Sequence, residues 1–389
     1  MISILNRAHN FSKGNELILV RLFLALGLGA IETVWAVYMS SLGLSVSAIG
    51  FISSLFLVFS LLFAISSTPI LEKFKQTHLL IMSLILSIIS YLVLGFSHTL
   101  ILFIIFALVI IVANVLRTEC FNIIFRDNVS NKDLNGKEGL MYALLNVGWL
   151  IGPLIAGFFM INFGISSVFF VVALLFIIGY SLFLLMNLKS ISKKRKKIDD
   201  NIFRNIKSFI KNKKMRSPYF MTLGIKTWWS FIYIYMPLFI LYHGFGATTI
   251  AIFLSAIIIP LVLFERQIGQ ASLKFGFKRF FLIGYAGLML TAITVFFIPN
   301  IIVQLILLVL ASIFAAFIEP IQETFFFKRT KTLDEEKYYP IFSTSRDVGG
   351  LIGKLPVALI LLFLANKFAY LTLFAIMAIF FLLALRIKE

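Results

Sequence analysis

Long apolar stretches alternate with short polar ones along the whole chain of 389 residues. In the first stretch, from about residue 17 to 40, Arg21 and Glu32 are the charged side chains. A helix that crosses a bilayer needs about 20 consecutive apolar residues. The pattern therefore predicts an all-α integral membrane protein with twelve transmembrane helices, at about 17–40, 46–71, 79–97, 99–125, 139–163, 166–188, 218–242, 247–266, 279–298, 300–326, 339–364 and 367–386.

Composition supports this class. The chain is 60% hydrophobic and 13% charged, more apolar than a soluble protein of this length can bury. The first 16 residues lack the apolar core and cleavage site of a signal peptide. A lone cysteine, Cys120, excludes an internal disulfide and a cysteine metal cluster, and we expect neither a metal nor a cofactor.

The formal net charge of +18 follows the topology. Basic residues precede the first span, follow the last, and fill the connections after the second, fourth, sixth, eighth and tenth spans. The intervening connections contain almost none beyond Lys367. This is the positive-inside pattern, which predicts a cell-membrane protein with both termini cytoplasmic and membrane lipid around it. No base-stacking module accompanies the charge, so we expect no nucleic-acid partner.

One spacing recurs between the two halves of the chain. "LGL" at 42–44, "EKF" at 72–74 and "NVGWLIG" at 146–152 each have a counterpart 201 residues later, in "HGF", "LKF" and "DVGGLIG". Six predicted spans separate the counterparts, so the halves run in the same direction. We predict two parallel six-helix repeats, 1–188 and 218–389, joined by a basic cytoplasmic linker at 189–217.

The linker ends in an amphipathic pattern, "IFRNIKSFIKNKKMRSP", in which apolar and basic positions alternate. Such a segment is typical of a helix that lies in the membrane interface. Anchoring to anionic lipid is the interpretation we favour, and a site for a regulatory partner is the alternative.

Two six-span halves around a basic loop resemble the major facilitator superfamily. That family carries G-x-x-x-D-[RK]-x-G-[RK]-[RK] after its second span, and this chain has "TPILEKFKQT" at 68–77, with Glu72 and Lys73 in the charged positions. The second-half copy, "GQASLKFGFK", keeps Lys274. Both copies are degraded, and the resemblance implies a gating role for these three residues.

The fifth predicted span contains a glycine pattern at Gly139, Gly148, Gly152, Pro153, Ala156 and Gly157. It resembles the antiporter motif G-x8-G-x3-GP-x2-GG of proton-driven exporters, with Ala156 replacing one glycine. Glycines on one helix face let two backbones approach closely. We expect Gly148, Gly152 and Pro153 to form a surface that moves against the other half of the molecule; ordinary helix packing is the alternative.

Charges inside predicted spans are costly in lipid and point to function. Glu32 lies in the first span, and its counterpart by the 201-residue spacing is Tyr233, on a seventh-span face with Lys226 and Trp229. The resemblance implies that the first, fourth, seventh and tenth spans line a cavity. Lys226, Trp229 and Tyr233 are therefore substrate candidates, and Glu32 is a candidate for proton coupling or for a structural carboxyl.

The remaining intramembrane charges lie in the fourth, tenth and eleventh spans. Asn114 and Arg117 are cavity candidates, whereas Glu119 points away from them. Glu319 and Glu323 share one helix face beside Pro320, which permits a break, and are further proton-coupling candidates. Arg346 and Asp347 form a predicted gate, and Lys354 is a substrate candidate that needs an anionic partner.

The sequence contains no nucleotide-binding loop, metalloprotease pair or nucleophile elbow, so we expect a transporter rather than an enzyme. The leading hypothesis is a monomeric, proton-coupled secondary transporter that exports small amphipathic organic molecules by alternating access. A carrier of organic anions, sugars or sugar phosphates remains open. So does a receptor or scaffold that has kept the fold without transporting.

Overall fold

The computed structural model describes residues 2–129, 134–186, 202–330 and 332–387, and within these ranges the secondary structure is helical, with no strand. The first half of the chain contains seven helices in the described ranges. They are α1 (Ile2–Ser41), α2 (Val46–Ser66), α3 (Thr68–Lys73), α4 (Gln76–Phe96), α5 (Leu100–Asn128), α6 (Leu134–Phe163) and α7 (Ile165–Leu185).

The rest of the described chain continues in the same way. Its helices are α8 (Ile202–Lys211), α9 (Lys213–Tyr242), α10 (Ala247–Ala256), α11 (Ile259–Phe275), α12 (Phe277–Phe297), α13 (Ile301–Ala316), α14 (Gln322–Arg329), α15 (Thr332–Ser343), α16 (Ser345–Ile360) and α17 (Phe368–Leu385). Residues 189–201 of the predicted linker lie outside the described ranges.

Ten helical segments in the described ranges are long and apolar enough to cross a membrane, two fewer than the twelve predicted. α10 with α11, and α13 with α14, each count as one segment. The predicted seventh and eleventh spans are helical too, as α9 and α16. α9 carries Lys226, two tryptophans and several tyrosines, and α16 has 16 residues, which is short for a bilayer. The chain is a multi-pass membrane protein.

Helix boundaries repeat at the spacing found in the sequence. α2, α4 and α5 begin at residues 46, 76 and 100, and α10, α12 and α13 begin 201 residues later, at 247, 277 and 301. Gly43 after α1 and Gly244 after α9 both adopt a positive φ, 86° and 80°, which favours glycine because it has no β-carbon. The same turn therefore ends two helices 201 residues apart.

Contacts divide the chain into two compact units. Unit 1 comprises Met1–Gly43, Phe59–Lys193 and Gly246–Ser255; unit 2 comprises Leu44–Val58, Lys194–Phe245 and Ala256–Glu389. In unit 1, α1 packs against α6 and α7, and α4 against α5 and α7. In unit 2, α9 packs against α16, α17 and α14, and α12 against α17 and α13. Each unit thus includes one short segment from the opposite half of the sequence.

The amphipathic helix α8 packs on protein through part of its apolar side. Phe209 is 3% exposed and joins Met215, Phe326, Tyr338 and Phe342 in one cluster. The hydroxyl groups of Ser208 and Tyr338 share a hydrogen bond of 2.8 Å. The expectation that this apolar side faces lipid is therefore wrong for Phe209, because aromatic residues of α14 and α15 cover it.

Candidate functional site

A break in the helix places Glu319 inside unit 2. α13 ends at Ala316, a 3₁₀ turn covers Glu319–Ile321, and α14 begins at Gln322. Pro320 lies in this turn, and proline has no amide hydrogen to continue the helical hydrogen bonds. The predicted break at Pro320 is confirmed. Glu319 therefore lies in the turn between two helices and not within a continuous α-helix.

Three side chains donate hydrogen bonds to the Glu319 carboxylate. Lys226 Nζ lies 2.5 Å from Oε1, with the lysine and glutamate side chains 21% and 19% exposed. Trp229 Nε1 donates to Oε2 at 3.1 Å, and Gln322 Nε2 donates to Oε1 at 3.0 Å. We call these four residues the Glu319 cluster. It is a charge-assisted site in which both carboxylate oxygens are engaged.

Close packing of α16 on α9 positions Lys226. A β-carbon built on Gly349 would lie 2.5 Å from the Leu223 carbonyl oxygen and 2.9 Å from Lys226 Cβ. Thr227 Oγ1 donates to the Gly349 carbonyl at 3.0 Å. The α16 backbone therefore lies directly against the start of the Lys226 side chain, which directs the ammonium group toward Glu319.

Other predicted residues of unit 2 lie near this cluster or apart from it. The ring of Tyr233 lies 6.2 Å from that of Trp229. Glu323 accepts a long hydrogen bond of 3.4 Å from Tyr339, so the two predicted tenth-span acids have different partners. Asp347 interacts electrostatically with Arg346 and with Lys354. Arg346 is exposed and Lys354 is half-buried.

In unit 1, Arg117 is buried, with 1% of its surface exposed. Its Nη2 donates to Asn114 Oδ1 at 2.6 Å and its Nη1 to Ser87 Oγ at 3.3 Å. The guanidinium carbon lies 4.8 Å from the centre of the Phe176 ring. The structure thus brings together the two predicted fourth-span residues, and their role toward substrate remains a prediction.

Glu32 is half-buried in the same unit. Glu32 and Arg117 both lie in the neighbourhood of Tyr91, which is 1% exposed and packs edge-on against Phe176. Glu32 therefore belongs to a polar group around a buried tyrosine that no sequence motif identified. Its role in proton coupling remains a prediction.

The fifth-span glycines pack against α1 of the same half. A β-carbon on Gly148 would lie 2.8 Å from the Ala25 carbonyl carbon, and one on Gly152 would lie 2.7 Å from the Ala30 amide nitrogen. α6 continues through Pro153. Close backbone contact along this face is thus present. The expectation that Gly148 and Gly152 contact the other half of the molecule is wrong, because α1 occupies their face.

The remaining glycine contacts repeat at the same 201-residue spacing. A β-carbon on Gly353 would lie 2.5 Å from the Thr227 carbonyl oxygen of α9, as Gly152 meets α1. Within unit 1, a β-carbon on Gly157 would meet Ala251. The two positions related to these by the 201-residue spacing are Ala358 and Gly50, and they meet one another within unit 2. Ser47 Oγ also donates to the Ala358 carbonyl at 2.7 Å. Equivalent helix pairs therefore use equivalent small residues.

This architecture agrees with a sequence comparison. A profile of the Major Facilitator Superfamily matches residues 17–354, most of the chain. The chain belongs to the Major Facilitator Superfamily. The chain therefore has the fold of a transporter and not that of an enzyme. No curated protein matches the chain by sequence.

Solved transporters share the fold of this superfamily member. A variant of the nucleoside transporter NupG is 15% identical with a TM-score of 0.78, over 97% of this chain and 100% of its own. A POT family transporter in complex with 5-aminolevulinic acid is 14% identical with a TM-score of 0.80, over 96% and 95%. A bacterial homologue of the human lysosomal transporter Spinster is 14% identical with a TM-score of 0.75, over 97% of each chain.

The lysines of the two degraded loop motifs each lie near the aromatic ring of the following residue. Lys73 Nζ lies 5.8 Å from the Phe74 ring centre, and Lys274 Nζ lies 5.2 Å from that of Phe275. The side chain of Glu72 lies outside the described part of the structure. The gating role of these residues remains a prediction.

Sequence reasoning missed Gln322 and Tyr91. Neither residue is charged, so neither stands out in an apolar span as Glu319 and Arg117 do. Gln322 is three residues after Glu319, a spacing that places side chains on one helix face and could have identified it. Tyr91 is distant in sequence from Arg117, and no local pattern joins them.

Proposed function

We propose that this protein is a proton-coupled secondary transporter in which Glu319 is the coupling carboxylate. The observation that carries the proposal is the Glu319 cluster, where Lys226, Trp229 and Gln322 all donate to one carboxylate. A charge within a membrane span usually marks an ion or substrate pathway. The partial exposure of both ionic partners leaves them open to water and solute.

Charge balance supplies the mechanism. With Glu319 ionised, the pair with Lys226 is neutral and each group satisfies the other. A proton that reaches Glu319 leaves the Lys226 ammonium group without its anion. A substrate carboxylate or phosphate then takes the place of the Glu319 carboxylate as the partner of Lys226, beside the indole of Trp229. Proton and anionic substrate therefore bind together, and the loss of the proton restores the ion pair and releases the substrate.

This mechanism favours a small amphipathic organic molecule that carries an anionic group. 5-Aminolevulinic acid, bound in one structural neighbour, also carries a carboxylate, although the likeness to that protein is one of fold. We also propose that α9 and α16 cross the membrane, which completes twelve spans in two parallel repeats. Because proton and substrate bind together in this mechanism, an inward proton gradient drives uptake. The export predicted from the resemblance of the α6 glycine pattern to the antiporter motif would need the opposite coupling, and Gly148 and Gly152 pack α6 on α1.

The experiment uses purified protein in vesicles and a substrate found by thermal-shift screening against metabolites and drugs. We expect Glu319→Gln to abolish accumulation driven by a pH gradient and to retain substrate exchange without one. Glu119→Gln, which removes an exposed acid from α5, is the matched control and keeps both activities. Full pH-driven accumulation by Glu319→Gln would overturn the role of Glu319.

Glu32 is the second candidate for the coupling carboxylate. It is half-buried and, like Arg117, lies in the neighbourhood of the buried Tyr91. If Glu32→Gln loses pH-driven accumulation and Glu319→Gln does not, coupling belongs to the first half of the chain. Retained pH-driven accumulation by both variants would place coupling on another group, whereas a complete lack of transport by the unmodified chain for the substrates it binds would favour a receptor or scaffold on this fold.

A further inference from the structure

A cavity of about 320 Å³ lies in unit 2 at the end of α9 that is remote from α8. Three places in the chain form it: the end of α9, the turn between α12 and α13, and the connection from α16 to α17. The cavity is separate from the Glu319 cluster, and none of the cluster residues lines it. Because membrane helices begin and end here, it lies at the boundary between lipid and water.

The cavity is cationic. Lys367 and His243 line it, and no carboxylate does among the described residues. Lys367 is also the one base that breaks the positive-inside pattern, and no acid follows it in the sequence before Glu389. The Lys367 ammonium group lies 5.8 Å from the ring centre of Phe296 and 5.6 Å from that of Phe368. Ring faces hold the charge in place and leave it available to an anion.

Buried hydrogen bonds fix the walls of the cavity. Gln304, 5% exposed, donates from Nε2 to the Ile298 carbonyl at 2.6 Å and accepts from the Tyr370 hydroxyl at 3.0 Å. The α12–α13 turn is thereby tied to α17. His243 Nδ1 lies 2.8 Å from the Phe239 carbonyl oxygen, which orients the imidazole. The site is built before any ligand arrives.

Aromatic side chains extend the cavity toward lipid. Tyr242 is 71% exposed and Phe297 is 73% exposed, and both line the cavity. Exposed aromatic rings beside a base are typical of the membrane interface. We propose that the cavity binds the phosphate-ester headgroup of an anionic phospholipid, with the phosphate on Lys367 and the first acyl methylenes across Phe297. The exposed rings favour a lipid over a soluble phosphate ester, which would leave them in water.

The test measures lipid binding to the full purified chain, without any transport assay. Delipidated protein is titrated with phosphatidylglycerol and, separately, with phosphatidylcholine, and bound lipid is counted by native mass spectrometry. We expect Lys367→Gln to weaken phosphatidylglycerol binding about fivefold, as expected for one base at a membrane surface. Lys367→Arg should retain binding. Lys214→Gln, which removes an exposed base at the other end of α9, is the matched control and should bind like the unmodified chain.

Ala365→Trp fills the cavity without changing charge and should also weaken phosphatidylglycerol binding. Unchanged phosphatidylglycerol binding by both Lys367→Gln and Ala365→Trp would overturn the proposal. So would equal affinity of the unmodified chain for the two lipids. If glycerol 3-phosphate or inorganic phosphate displaces phosphatidylglycerol at equal concentration, the lipid assignment is wrong and the site belongs to a soluble phosphate.

Discussion

At the scale of single residues, Arg117 is buried, and its contacts are too few to compensate for the desolvation of its charge. Its guanidinium has two hydrogen bonds and one ring contact, and no carboxylate pairs with it among the described residues. Ser87 does not depend on it, because its Oγ donates to the Ser83 carbonyl at 2.8 Å. Burial of a charge without a counterion opposes folding. We infer that Arg117 serves a purpose other than stability.

We therefore expect Arg117→Met to keep or raise the melting temperature of the purified protein. Methionine fills similar space and removes the desolvation cost of the charge. Thermal unfolding in detergent measures the effect, with Arg126→Met, an exposed change on the same helix, as the control. A fall in stability of more than about 1 kcal/mol relative to that control, the size of an ordinary hydrogen-bond loss, would show that Arg117 is structural.

The same scale shows where sequence reasoning stops. Lys226 and Glu319 were both predicted as site residues, because charges in apolar spans attract notice wherever they occur. Their pairing across 93 residues was not predicted, since periodicity within a helix carries no information on which helix lies opposite. Pro320 predicted the break that makes the pairing possible, because proline acts locally.

At the scale of helices, small residues set the distance between α1 and α6. We expect Gly152→Ala to destabilise the protein by about 1–3 kcal/mol, the usual cost of overpacking. The added β-carbon would lie 2.7 Å from the Ala30 amide nitrogen and 2.8 Å from the Gly29 α-carbon. These are backbone atoms, and no side-chain rotation relieves the overlap. Thermal unfolding of the purified variant measures the loss.

Gly269→Ala is the matched control for this prediction. Gly269 lies in α11, and a β-carbon built there meets no atom within 4 Å. Alanine restricts the unfolded chain more than glycine does, so we expect this variant to gain about 0.5–1 kcal/mol. Equal stability of Gly152→Ala and Gly269→Ala would contradict the packing argument.

Helix breaks were predicted unevenly. α13 and α14 are separated beside Pro320, as the sequence predicted, and α10 and α11 are separated at residues 257 and 258, which was not predicted. Pro260 near the start of α11 marks the second break. Hydropathy did not predict this break, because it measures how long the apolar run from 247 to 266 is and not whether the helical hydrogen bonds continue along it.

At the scale of the whole molecule, topology is the prediction open to direct test. Cys120 is buried, so the native thiol contributes little background to labelling. We expect Ser45→Cys, exposed after α1, to react with an impermeant maleimide in intact cells. Lys211→Cys, exposed at the end of α8, should react only after permeabilisation. The reverse result would overturn the positive-inside interpretation.

The family and the general architecture were predictable from the sequence, whereas the interior chemistry was not. Apolar runs and the 201-residue spacing are properties of the linear chain, and the structure repeats that spacing in helix starts and in glycine contacts. The Glu319 cluster has no such counterpart: the residues 201 before Lys226 and Glu319 are Ala25 and Thr118. Packing is shared by the two halves, but the first-half positions equivalent to the Lys226–Glu319 ion pair carry no charge.

Backbone contact between α1 and α6 also constrains how this chain can diverge over evolutionary time. Gly29 and Gly152 face one another, so a lineage that replaces one with a larger residue must separate the two helices or lose the fold. The Lys226 and Glu319 side chains overlap no backbone in this way, and what restrains them is that each must keep a partner of opposite charge. We therefore expect descendants of this chain to retain the contact between α1 and α6 even where both members of the ion pair have changed together.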